Sequence, residues 1–190
     1  MKKFLSMLAI CLLWSGVANA ESDKKIFEHA DEIQLEYLSG KPLKWRNVNN
    51  YNVHYFEKVT DNGVISYWRG LSFTRAVGYT SPKYDGYVHH DSNGVGFGPA
   101  FMLRWDKKIS GKFHGGADFT GSFMFYNRAH PFDGRAYGFL WRIGPRFTWQ
   151  FREQDSISVG YSISHFSNGL RTHNPGYNTQ GISIGYTHSW

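Results

Sequence analysis

The chain has 190 residues, 21 lysines and arginines against 15 aspartates and glutamates, and an aromatic content of 18%. That length suits one domain and would strain two, while the mild basic excess fits an anionic membrane surface and offers no argument for a nucleic acid partner. A single cysteine, Cys11, excludes a fold held by disulfides.

Residues 1–20 read as a secretory signal. Lys2 and Lys3 make the positive start, Phe4 to Trp14 the apolar centre, and Ala18-Asn19-Ala20 the small-residue cleavage site. The apolar run is shorter than the roughly 20 residues a membrane-spanning helix needs. Cleavage after Ala20 would remove Cys11 and two basic residues, leaving residues 21–190 as one thiol-free domain of charge 19 − 15 = +4.

Within that domain the recurring pattern is alternation, which in a strand sends successive side chains to opposite faces. Ile33, Leu35 and Tyr37 alternate with Glu32, Gln34 and Glu36. Tyr51, Val53 and Tyr55 follow, up to a Thr60-Asp61-Asn62-Gly63 turn, and then Ile65, Tyr67, Leu71 and Phe73. After a polar loop from about Tyr79 to Asn93, the stripe Val95, Phe97, Pro99, Phe101, Leu103 and Trp105 opposes glycines, Ala100, Met102 and Arg104. Phe113 to Phe125 and Tyr137 to Trp149 repeat the arrangement, with Asp118, Arg142 and Arg146 on the small or polar side. A seventh strand carries Ile157, Val159, Tyr161 and Ile163 on one face, and an eighth carries Ile182, Ile184, Tyr186 and Trp190.

Large apolar side chains on one face and small, polar or charged ones on the other predict an all-β fold, an eight-stranded antiparallel transmembrane β-barrel with strands of 9 to 11 residues. Eight strands leave an interior just wide enough for side chains, so a porin is excluded. Arg104, Arg142 and Arg146 are expected to be neutralised inside by Glu32, Glu36 and Asp118. Short turns near Asp61, Lys107 and Glu153 and longer connections near Lys41, Asp85, Phe132 and Thr172 assign the two ends. The competing architecture, a soluble lipocalin-like barrel, would crowd the bulky residues into a small lumen.

The seventh strand's apolar face continues into His165 and Ser167, a base and a hydroxyl two residues apart at the outer rim. Structural polar groups closing a strand would look the same. His165-Phe166-Ser167-Asn168-Gly169, followed by Asn174-Pro175-Gly176 and an aromatic-ended last strand, resembles the lipid A 3-O-deacylase (PagL) family of outer-membrane esterases. The resemblance implies hydrolysis of the ester-linked 3-O-hydroxyacyl chain of lipid A by a Ser-His-Glu triad, with the serine and histidine at Ser167 and His165 and an oxyanion contributor at Asn168. Where the family's pattern has the glutamate, two residues after the glycine of the Asn-x-Gly turn, this chain has Asn178. An asparagine can hold a histidine tautomer but cannot offset the imidazolium charge.

The expected mechanism has His165 as base, Ser167 as nucleophile, Asn178 orienting the imidazole, and Asn168 with the backbone of Gly169 holding the oxyanion. His173 and Asn174 are nearby substitutes for the missing acid, and neither is acidic. No cofactor or metal is needed for this acyl transfer; His89-His90-Asp91 reads as a solvated loop, because neighbouring histidines diverge in extended chain. Arg75, Lys83, Arg128, Arg135 and Arg171 near the outer rim either meet lipid A phosphates or are plain loop charge. The expected partners are lipid A of lipopolysaccharide and the lipids of a bacterial outer membrane, and a homodimer is compatible with the sequence. The alternative from another class is a non-catalytic surface barrel with a structural or adhesive role.

Overall fold

Alternation along the chain becomes a closed wall. The computed structural model describes residues 29–40, 46–168 and 174–190; the signal expected over residues 1–20, Gly169, Arg171 and His173 lie outside them. Eight long strands follow in order: β1 (Ala30–Gly40), β2 (Arg46–Asp61), β3 (Ile65–Thr80), β4 (Gly94–Ser110), β5 (Phe113–His130), β6 (Arg135–Gln150), β7 (Asp155–Ser167) and β8 (Tyr177–Ser189). Each pairs antiparallel with its neighbours in sequence, and β1 pairs with β8, Leu35 opposite Ile184, to close the ring. Closure leaves none of the eight with a free edge. A two-residue bridge, His90–Asp91, adds to the end of β3, and a 3-10 turn, Lys83–Asp85, precedes it.

The two faces sort as alternation requires. Leu35, Phe73, Phe97, Phe125, Phe147 and Ile184 are exposed on the outer wall, while Glu32, His54, Met102, Leu140 and Phe166 are buried inside. An exposed apolar wall that runs around the barrel is stable only against hydrocarbon, so lipid is its solvent. Inside, Arg104 donates to Glu32 at 2.8 Å and to Asp118 at 2.9 Å, and Arg142 donates to Glu36 at 2.7 Å. Arg146 lies 3.5 Å from Asp118 and 3.3 Å from Asp106. The inward charges are therefore paired, which is what makes them tolerable away from water.

Strand length departs from expectation. Strands β2 to β6 run 16 to 18 residues, more than an apolar band of about 25 Å requires at about 3.3 Å per residue, even tilted. The excess is polar and projects beyond the bilayer. One consequence is that Lys107 and Lys108, expected at a turn, pair within the sheet opposite Gly115 and His114, and the chain reverses at 111–112 instead. Short reversals at 62–64, 111–112 and 151–154 mark the periplasmic end. At the other end lie the longer connections 81–93 and 168–176, although 131–134, around Phe132, is as short as the turns.

Two apolar clusters plug the lumen. Val48, Met124, Tyr126, Leu140, Phe166 and Tyr177 fill the outer end, and Phe56, Trp68, Ala100 and Met102 the periplasmic end. The outer plug matters most for function, because Phe166 and Tyr177 alternate along β7 and β8 with the residues of the candidate site.

Candidate active site

His165 and Ser167 end strand β7 on its outward side, in phase with Ile157, Val159 and Tyr161. The neighbouring strands fix what they face: on β6, Trp141 is opposite His165 and Phe139 opposite Ser167, and on β8, Asn178 is opposite His165. Directly paired residues carry their side chains within about 5.5 Å on one face. The His165 Nδ1–H accordingly donates to Asn178 Oδ1 at 2.6 Å, and the Trp141 ring lies 5.7 Å from the imidazole. In the neutral ring, an Nδ1–H engaged in this way leaves the lone pair on Nε2, as a general base requires.

Ser167 is held from the other side. Asn174 Nδ2 donates to Ser167 Oγ at 2.6 Å, while Asn174 Oδ1 accepts the backbone N–H groups of Asn168 at 3.0 Å and Gly176 at 3.1 Å. The two backbone bonds clamp the carbonyl side of the amide, so its N–H side can only point at the hydroxyl. Gly176 is part of the clamp for a steric reason: a Cβ there would stand 2.4 Å from the Phe166 carbonyl oxygen.

Asn168 requires a correction. It was expected to hold the oxyanion, but its side chain points into the lumen, fully buried, and its amide donates to the backbone carbonyls of His130 at 3.1 Å and Tyr137 at 2.8 Å. Both N–H donors are spent bracing the end of β7 against β5 and β6, on the face opposite Ser167. Behind it, Phe166 stacks on Tyr177 at 5.2 Å, Tyr177 donates to His130 Nε2 at 2.8 Å, and His130 Nδ1–H donates to the Ser92 carbonyl at 2.9 Å. Asn50 Nδ2 completes the chain by donating to the Tyr177 hydroxyl at 3.0 Å. The structure thus pairs His165 with Asn178 and Ser167 with Asn174, and turns Asn168 away.

A groove of about 700 Å³ opens on the lipid-facing wall beside this group. Gly121 is its floor, the rings of Phe101, Phe119 and Phe123 its sides, and Phe139 and Trp141, the cross-strand partners of Ser167 and His165, its near end. The histidines at 89 and 90 separate as expected of neighbours: His89 stacks on Tyr79 and His90 on Phe132.

The family model described as Lipid A 3-O-deacylase (PagL) matches residues 43–187. Among solved structures, the barrel is similar to the crystal structure of the outer membrane enzyme PagL, with a TM-score of 0.54 and 14% identity over 83% of this chain and 98% of that one. It is equally similar to Neisserial surface protein A (NspA), with a TM-score of 0.54 and 8% identity over 86% of this chain and 96% of that one. Both likenesses are of fold. No curated protein matches the sequence. A closed eight-stranded barrel with an apolar outer wall is a bacterial outer-membrane protein.

Proposed function

Because the chain belongs to the lipid A 3-O-deacylase (PagL) family, we propose that it is an outer-membrane esterase that removes the ester-linked 3-O-hydroxyacyl chain of lipid A through Ser167 and His165. The observation that supports this reading is the pair of short hydrogen bonds, from His165 to Asn178 and from Asn174 to Ser167, made by a base and a hydroxyl two residues apart on the outward face of β7. A structural end to a strand has no need of both.

In this reading His165 Nε2 takes the Ser167 proton as Oγ bonds to the ester carbonyl carbon. The sugar oxygen leaves with that proton, and water clears the acyl-enzyme by the same route reversed. Asn174, not Asn168, is the side-chain donor at Ser167 Oγ, where it orients the hydroxyl for attack; the negative charge of the tetrahedral intermediate develops on the ester carbonyl oxygen. Asn178 holds the tautomer without supplying the negative charge of a glutamate. The groove along Gly121 gives the acyl chain an apolar bed beside the serine, so the lipid need not leave the bilayer to react.

Mass spectrometry of lipid A from cells with and without the protein tests the reading. Loss of one hydroxyacyl chain that is abolished by Ser167→Ala is expected. An unchanged lipid A profile from folded, membrane-inserted protein would leave the barrel with a structural or adhesive role instead.

A further inference from the structure

A cavity of about 810 Å³ lies at the loop end of the barrel, between the 81–89 connection and residues 131–134. Its size suits a small molecule, and several independent features mark it out. Tyr87 (φ 66°) and Asp133 (φ 61°), the two non-glycine residues among the described residues with left-handed backbone, both line it. Such conformations are held in place by their surroundings and gather at ligand sites. Ser81, 1% exposed, also lines it, with a hydroxyl that has no hydrogen-bond partner among the described residues. A buried polar group without a partner is costly unless a ligand or water meets it.

The rest of the lining specifies the ligand's chemistry. Tyr84, Tyr87 and Phe132 offer ring faces, and the Tyr84 hydroxyl donates to Asp133 at 3.1 Å across the opening between the two connections. Arg46 and Lys83 bring two cations to the same wall. Aromatic faces suit the apolar faces of sugar rings, a hydroxyl and a carboxylate suit sugar hydroxyls, and a guanidinium with an ammonium suits phosphate. Pro175 completes the wall and follows Asn174, while Arg46 Nη1 donates to the Gly176 carbonyl. The cavity therefore shares a short segment of backbone with the clamp on Ser167.

We propose that this cavity binds a phosphorylated saccharide, the head group of the glycolipid whose ester meets Ser167; the choice of glycolipid rests on the esterase reading, whereas the binding chemistry rests on the cavity. Occupancy would place the sugar against the 174–176 segment and bring its acyl ester to the neighbouring rim.

Calorimetric titration of the Ser167→Ala protein in detergent micelles tests this without turnover. The probes are the bisphosphorylated glucosamine disaccharide stripped of acyl chains, the same disaccharide without phosphates, and inorganic phosphate. Saturable binding of the phosphorylated disaccharide is expected, weakened at least tenfold by Lys83→Ala, by Ser81→Ala and by loss of the phosphates. Lys83 is exposed, so its substitution leaves the fold intact, and retention of heat-modifiable gel migration verifies both variants. Absence of saturable binding, or binding indifferent to both substitutions, overturns the proposal. Inorganic phosphate binding as tightly as the disaccharide overturns its saccharide half. An inactive wild-type protein that still binds the disaccharide would defeat the esterase reading alone, and an active one that does not bind it would defeat this proposal alone.

Discussion

Asn178→Glu should make this protein a faster esterase. Asn178 Oδ1 already accepts from His165 Nδ1–H at 2.6 Å, from the position directly across the β7–β8 pair. A glutamate is one methylene longer, and its carboxylate can occupy the same acceptor position from an exposed site on the strand. In the resting enzyme the exchange replaces one acceptor by another. In the transition state the imidazole is positive, and a neutral amide becomes a carboxylate beside it. Two unit charges about 4 Å apart attract by about 1 kcal/mol in water and about 4 kcal/mol at an effective dielectric of about 20; the exposed site argues for the lower part of that range, roughly 1–2 kcal/mol. At 1.36 kcal/mol per factor of ten, the rate should rise about 5- to 30-fold. The assay is release of 3-hydroxyacyl chains from lipid A in mixed micelles, comparing kcat for the two proteins, with Ser167→Ala in the Asn178→Glu background as the blank. The gain should appear in kcat and leave KM nearly unchanged, because the added charge acts only when the imidazole is charged. A folded Asn178→Glu protein with unchanged or lower kcat would refute the assignment of Asn178 as the residue that orients His165.

Three further outcomes follow from the same geometry. Asn174→Asp keeps the carbonyl-side clamp on the Asn168 and Gly176 N–H groups but loses the donor that orients Ser167 and sets a carboxylate beside its hydroxyl, so kcat should fall about tenfold or more, with heat-modifiable migration retained. Gly121→Leu should fill the floor of the outer groove, since even a Cβ there stands 2.5 Å from the Phe101 ring; KM for long-chain substrates should rise about tenfold while a short-chain ester is hydrolysed as before. Glu32→Ala removes the carboxylate that Arg104 and Thr187 both contact inside the lumen, leaving a buried cation short of a partner, and should cost about 3–5 kcal/mol in a urea unfolding titration followed by gel mobility.

Much of the architecture was legible because alternation is a strong constraint on a two-faced wall. Phe97, Phe101 and Leu103 against Gly96, Ala100 and Met102 could be sorted into outside and inside from their spacing, and so could Arg104 with its acidic partners. Strand length was not legible in the same way. The projecting ends around Lys107 and Asn127 are largely polar and carry little apolar alternation, and they are tied by pairing such as Lys107 opposite Gly115 and by side-chain bonds such as that of the Val95 N–H to Asn127 Oδ1 at 3.0 Å.

Within the site, period two placed His165 and Ser167 on one face; Asn178 was marked only by the resemblance, and the β7–β8 register puts it opposite His165. The same rule assigns Phe166 and Asn168 to the lumen, and the resemblance that made Asn168 an oxyanion donor ran against it. Asn174 stood in a turn signal, but its role depends on three contacts across the 168–176 connection that no periodicity encodes. The loop-end cavity was further from view, since Arg46, Ser81, Phe132 and Pro175 come from four separate parts of the chain and converge only when the ring is closed.

The central claim is that Ser167, on the lipid-facing rim, takes the acyl chain from the ester. Purified protein incubated with lipid A, quenched in acid and mapped by tandem mass spectrometry tests it most directly. One hydroxyacyl adduct on Ser167, absent from His165→Ala, is the expected result. Free hydroxyacyl chains released by a Ser167→Ala protein, or an adduct on a different residue, would contradict it.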